Sequence, residues 1–191
     1  MLKELLCQSA GVSDLPQWEH AQRSLQSISV KKDEAVFHQG VPHGFVYGVR
    51  QGLVKLQYLD EEGGEWIKSF AQEGRFFASL SALSPLGQTS FMVTAVEPTE
   101  LERLDYADLA QLADRHLSWA KALWQLTKAY AARKESRERE LLTRTAEMRY
   151  RTFVTQEPEL AQRIPQKDMA RYLGVTPVGL NRIAMRIRKH G

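Results

Sequence analysis

The spacing of apolar residues changes along the chain, and each change predicts a different architecture. Residues 14 to 27 open on Asp14 and place Leu15, Trp18, Ala21 and Leu25 at helical intervals, which predicts a short amphipathic helix. From Ile28 to Leu104 the period shortens. Runs rich in β-branched and aromatic residues alternate with turn residues: Ala35-Val-Phe37, Phe45-Val-Tyr47-Gly-Val49, Leu53-Val-Lys-Leu56-Gln-Tyr58, Trp66-Ile-Lys-Ser-Phe70, Phe91-Met-Val-Thr-Ala-Val96 and Leu101-Glu-Arg-Leu104. Strands this short and this closely spaced, with Gly40, Gly52, Gly63, Gly64 and Gly74 between and around them, predict a compact antiparallel roll or jelly roll.

Helical periodicity then returns and lasts. Asp105 is placed to cap a short helix carrying Leu109 and Leu112. Beyond it Leu117, Ala120, Leu123, Trp124, Thr127, Tyr130 and Ala131 form an apolar stripe, followed by the charged run 133–140 and by Leu141-Leu142. The first half of this helix has more apolar surface than one core side requires, so pairing with a second copy of the chain is expected, alongside packing on its own roll. A further helix is expected from about Thr145 to Gln156, ended by Glu157-Pro158.

The last stretch, Gln166 to Ile183, reads as two short helices joined by a tight turn. Ala170 is small enough for close helix crossing, and Gly174 stands where the first helix must stop. Thr176 can cap the second helix, and Pro177 fits its first position. Met169, Leu173, Val175, Leu180 and Ile183 would be the small core between them. This is the pattern of a helix-turn-helix, whose second helix enters a DNA major groove.

Charge strengthens that reading. The 191 residues carry a formal charge of only +3, yet from Arg163 onward seven basic residues stand against Asp168 alone. They are Arg163, Lys167, Arg171, Arg182, Arg186, Arg188 and Lys189, the footprint of a phosphate-binding surface. A single cysteine, Cys7, excludes an internal disulfide and a cysteine-rich cluster, and leaves at most a redox role for its own thiol. The five histidines, His20, His38, His43, His116 and His190, show no metal-ligand spacing, so no metal and no cofactor is expected. With no bilayer-length apolar run and no signal-peptide layout, a cytoplasmic protein with no membrane partner is the expectation.

In this order, the motifs resemble the CRP/FNR family of bacterial transcription regulators over nearly the whole chain. Phe37-His-Gln-Gly40 and Tyr47-Gly-Val-Arg-Gln-Gly52-Leu-Val-Lys55 are similar to the family's roll glycines. Gly74-Arg-Phe-Phe77 and residues 93–101 are similar to the strands around its effector pocket. Arg163-Ile-Pro-Gln-Lys-Asp, Tyr172-Leu-Gly-Val-Thr-Pro and Leu180-Asn-Arg-Ile183 resemble its DNA-binding end. The resemblance implies an α+β chain: an N-terminal jelly-roll-like antiparallel β roll as a cyclic-nucleotide-binding-like sensor (1–115), a long dimerisation helix (116–142) and a helix-turn-helix domain (143–191).

It also implies roles for particular residues. Pro177, Val178 and Arg182 stand where the family reads bases, with Asn181 beside them. Thr176, Gly179, Gln166 and Lys167 stand where it grips phosphates, and Arg186 extends that surface. An effector pocket would be lined by Phe76, Phe77, Ser79, Thr89, Ser90 and Phe91. Cyclic-nucleotide-binding relatives place a glutamate and an arginine where this chain has Ser79 and Thr89, so regulation by cyclic AMP in the usual way is not expected. The reading is thus a non-enzymatic, homodimeric regulator of double-stranded DNA, with RNA polymerase a further partner if it activates transcription. Two alternatives stand beside it: a working sensor for a cyclic nucleotide or another small effector, and a cupin-like enzyme, for which no metal-ligand or nucleophile–base set is present. The family's β wing after the second helix has no counterpart in the residues given.

Overall fold

A computed structural model describes residues 1–190, with side-chain detail through Arg188. The chain begins with helices α1 (Leu2–Ala10) and α2 (Trp18–Ser24). Eight strands follow: β1 (Gln26–Val30), β2 (Ala35–Phe37), β3 (Phe45–Gln51), β4 (Leu53–Leu59), β5 (Glu65–Gln72), β6 (Phe76–Phe77), β7 (Met92–Ala95) and β8 (Thr99–Asp105). Six helices complete it: α3 (Tyr106–Arg115), α4 (Leu117–Thr143), α5 (Ala146–Gln156), α6 (Pro158–Arg163), α7 (Gln166–Leu173) and α8 (Pro177–His190).

The strands form two four-stranded sheets, ordered β1-β8-β3-β6 and β2-β7-β4-β5, with antiparallel pairings throughout. Inward-facing residues of both sheets, among them Tyr47, Val49, Val54, Leu56, Val93, Ala95 and Leu101, make the core of the roll. Its centre is aromatic: Tyr47 and Phe77 stack at 5.0 Å, and Phe37 lies against both and against Phe91.

The start of the chain departs from the expected pattern. Residues 2–10 are helical, with Leu2, Leu6, Cys7 and Ala10 buried on one face. That face packs on α4, and Glu102 anchors the helix by accepting the Leu2 N–H at 2.7 Å. A Cβ at Gly48 would meet the Leu2 side chain at 2.8 Å, so the glycine admits α1 against the sheet. The expected helix at 14–27 is shorter, because Gln26–Val30 pairs with β8 and its backbone hydrogen bonds go to the sheet. The helix α6 was also not expected; Pro158 ends α5 but serves as an N-terminal residue of a new helical turn.

The 27-residue helix α4 buries Trp119, Ala122 and Leu126 against its own chain. Trp119 stacks on Trp18 at 6.0 Å and donates from Nε1 to the Pro16 carbonyl at 2.8 Å. The stripe read from the sequence lies largely elsewhere: Leu117 and Trp124 are 86% and 66% exposed, and Leu141 and Leu142 further along are exposed too. Asp105 caps α3 and Thr145 caps α5, each accepting a backbone N–H. Among the described residues no helix is long and apolar enough to cross a membrane.

Candidate nucleic-acid interface

The C-terminal helices are set by local chemistry. Gly174 adopts φ 68° and closes α7, its N–H and that of Val175 returning to the carbonyls of Arg171 and Ala170. Thr176 Oγ1 accepts the Gly179 N–H at 3.1 Å and so caps α8. Ala170 is fully buried, and Met169, Leu173 and Leu180 join it with Phe153, Leu160 and Ile164 in one core. Val175 and Ile183 are only half-buried.

This packing leaves one side of α8 open. Thr176, Pro177, Val178, Asn181, Arg182 and Arg186 are all exposed, as are Gln166 and Lys167 at the start of α7; Gly179 is half-buried beneath them. Gln166 and Asn181 face a common groove of about 290 Å³ between α5, α6, α7 and α8. Arg186 is bound to Glu147 at 3.4 Å. Lys189 and His190 lie outside the residues described at side-chain level.

The basic footprint read from the sequence is smaller in space. Arg163 bridges Glu73 at 2.9 Å and Glu97 at 2.5 Å, both on the roll. Arg171 pairs with Glu65 on β5 and lies 3.7 Å from Asp168. These two arginines tie the helical domain to the roll and do not form part of an open cationic face. Among the described residues of that footprint, Lys167, Arg182 and Arg188 are exposed and make no ion pair.

Several residues that position the helix pair carry no motif. Lys55 on β4 reaches Asp168 in the first turn of α7 at 3.3 Å, with both side chains buried. Leu53 and Val96 of the roll enter the same core as α7. Arg149 on α5 donates to the Leu173 carbonyl at 2.9 Å and to that of Arg144 at 2.6 Å, holding the C-terminus of α7. The Arg137 guanidinium of α4 stacks 3.9 Å from the Tyr172 ring. Only the alternation in Leu53-Val-Lys-Leu-Gln, unusually apolar for one side of a strand, hinted that β4 is covered on both faces.

The six effector-pocket candidates do not line one cavity. Phe77 and Phe91 lie in the aromatic core. Ser79 and Thr89 are buried with their hydroxyls engaged. Ser79 Oγ accepts the Ser90 N–H at 3.2 Å, while Thr89 Oγ1 donates to the His38 carbonyl at 2.6 Å and accepts from Val41 at 3.0 Å. Ser90 is exposed. These bonds tie the β6–β7 connection to itself through Ser79 and to the β2–β3 loop through Thr89, so the polar groups turn inward. Of the six, Phe76 lines a cavity that opens between the roll and α4, about 240 Å³ in volume. His43 stacks on Tyr47 and bonds its hydroxyl at 2.9 Å; burial holds its imidazole below the usual range, with Arg103 adding to the effect. Cys7 is a free thiol, pushed up in pKa by burial.

Residues 27–116 match the cyclic nucleotide-binding domain family. The transcriptional activator protein Anr of Pseudomonas aeruginosa is 25% identical over 177 residues, covering 85% of this chain and 70% of its own. The structure of FixK2 from Bradyrhizobium japonicum superposes with a TM-score of 0.77 at 23% identity, over 87% of this chain and 86% of that one. The chain thus shares the fold of FixK2, and over residues 27–116 it is similar to cyclic nucleotide-binding domains. The chain also matches a candidate potassium channel protein of Rhodopseudomonas palustris, 31% identical over 114 residues and 60% of this chain. The chain spans 27% of that relative's length. Among the described residues, no group of three His, Cys, Asp or Glu side chains is placed to hold a metal ion.

Proposed function

We propose that this chain is a CRP/FNR-type regulator that binds duplex DNA as a homodimer, with α8 of each copy in the major groove. The observation that carries the reading is the open face of α8, where Val178, Asn181 and Arg182 stand clear while the opposite face is buried. Arg182 can bond guanine O6 and N7, Asn181 can bond adenine, and Val178 can contact a thymine methyl group. Lys167 and the α7 N-terminus supply phosphate contacts. The exposed Leu117, Trp124, Leu141 and Leu142 of α4 supply a pairing face, and two-fold pairing would present two α8 helices to the two halves of a palindromic site. The test is selection of bound sequences from a random duplex pool. A palindromic consensus supports the reading, and recovery of no preferred sequence overturns it.

Cyclic AMP is not the effector in this reading. A cyclic phosphate needs a cation or several free N–H donors, and Ser79 and Thr89 offer neither. Calorimetric titration with cyclic AMP or cyclic GMP should release no saturable heat; micromolar binding would defeat this part.

A further inference from the structure

The carbonyls of a helix's last turn have no partners inside the helix. In α7 they belong to Ala170, Arg171, Tyr172 and Leu173. The N–H groups of Gly174 and Val175 take those of Arg171 and Ala170. Side chains from two other helices take the rest. Arg137, in the last part of α4, donates to the Tyr172 carbonyl and lays its guanidinium over the Tyr172 ring. Arg149, on α5, donates to the Leu173 carbonyl from Nε at 3.1 Å and from Nη2 at 2.9 Å. The same guanidinium donates from Nη1 at 2.6 Å to the carbonyl of Arg144, the residue that closes α4. A Cβ at Gly174 would lie 3.7 Å from Arg149 Nη2 and 3.7 Å from Leu141 Cδ2, so the turn packs on this clamp and on the end of α4. Neither arginine makes an ion pair among the described residues; both serve main-chain carbonyls.

Water satisfies such carbonyls at an exposed helix end, but it imposes no direction. A planar guanidinium that bonds two helix ends at once does impose one. The roll grips α7 further back, at Asp168 and Arg171. The end from which α8 departs is held instead from α4 and α5. We propose that Arg137 and Arg149 are positioning residues: they fix the angle between α4 and α8, and so set the half-site spacing that a paired molecule accepts. The reach of α8 makes that angle matter. Arg182 stands about 12 Å along α8 from Gly174, so a rotation of about 15° there carries it about 3 Å, nearly one base-pair step. The proposal rests on the DNA-binding reading and adds what one helix pair cannot hold alone, the register between two of them.

The experiment uses the full chain and the half-site recovered from the random pool. Duplexes carry two copies of it at the preferred spacer, and at spacers one base pair shorter and longer. The unaltered chain should prefer its own spacer by about tenfold or more. Arg137→Met with Arg149→Met should reduce that preference to about threefold or less, while base changes within one half-site cost as much as before. Arg149→Lys keeps a positive charge beside both helix ends but lacks the planar fork, so it should lose spacing preference with the melting temperature held. A second measurement reads the clamp without DNA. Spin labels at Lys128→Cys on α4 and Val178→Cys on α8, both exposed positions, are placed in Cys7→Ala protein diluted into unlabelled chain. The distribution of distances between them should broaden when both arginines are replaced. Unchanged spacing preference, full preference in Arg149→Lys, or loss of base preference within the half-site would overturn the proposal. A random pool without a consensus removes the DNA reading and the spacing role together. An unbroadened distance distribution beside a clear consensus removes the clamp alone.

Discussion

Asp168 faces two ways. It lies in the first turn of α7, where a carboxylate suits the helix N-terminus, and it also meets Lys55 across the domain boundary. Because both side chains are buried, removing one strands the other. Asp168→Ala should cost about 3–5 kcal/mol in chemical denaturation, while Lys55→Met with Asp168→Leu should recover much of that loss. Thr176→Ala removes the α8 cap and should cost about 0.5–2 kcal/mol by the same measurement. Arg182 makes no ion pair among the described residues and stands exposed, so its substitution by alanine should spare stability. It should instead cost about 1–3 kcal/mol at the preferred duplex and relax one base position. Lys167→Ala should weaken all duplexes alike and flatten the dependence on salt. Gel-shift titrations at two ionic strengths separate the two patterns, and an unchanged affinity for Arg182→Ala removes that residue from base reading.

At the scale of the element, α4 shows how one helix serves two surfaces. Trp119, Ala122 and Leu126 recur at helical spacing and are buried by the chain itself, with α1 packed alongside. Leu117, Trp124 and Leu142 sit on other faces and remain exposed. If that open surface pairs two copies, Trp124→Glu with Leu142→Glu should convert dimer to monomer in sedimentation velocity while leaving the helical circular dichroism unchanged. A variant that remains dimeric places the interface elsewhere. The α7–α8 turn makes a different demand: at φ 68° Gly174 is held in the left-handed region, where a side chain is strained by about 1–2 kcal/mol.

The whole molecule is held together by charge as well as by packing. Arg163 lowers the Glu73 carboxylate to about 2, from an ordinary value near 4.5. A depressed acid contributes stability that is fully present above the unfolded value and lost as pH falls through the folded one. The roll–helix contact through Arg163 should therefore be constant above about pH 5 and weaken progressively between pH 4.5 and pH 2. Because these groups are partly exposed, salt should weaken it too. Limited proteolysis of the segment between α5 and α7 reads the contact: Arg163→Ala should be cut faster at neutral pH, and the difference from the unaltered chain should shrink near pH 2. Equal rates at both pH values would show that apolar packing of Leu53 and Val96 on α7 suffices.

The sequence by itself determined the features governed by neighbours along the chain: the strand runs between glycines, the Asp105 cap, and the Gly174 turn with Thr176 and Pro177 after it. Caps, turns and alternation depend on a few adjacent residues, so they survive in one dimension. Only the tertiary structure decided which charges are free, because an arginine's partner is set by the approach of distant elements. Arg163 and Arg171 read as part of a phosphate-binding face until Glu73, Glu97 and Glu65 come beside them. For the same reason Ser79 and Thr89 gave no sign of turning inward, and Arg149 gave none of joining the ends of α4 and α7.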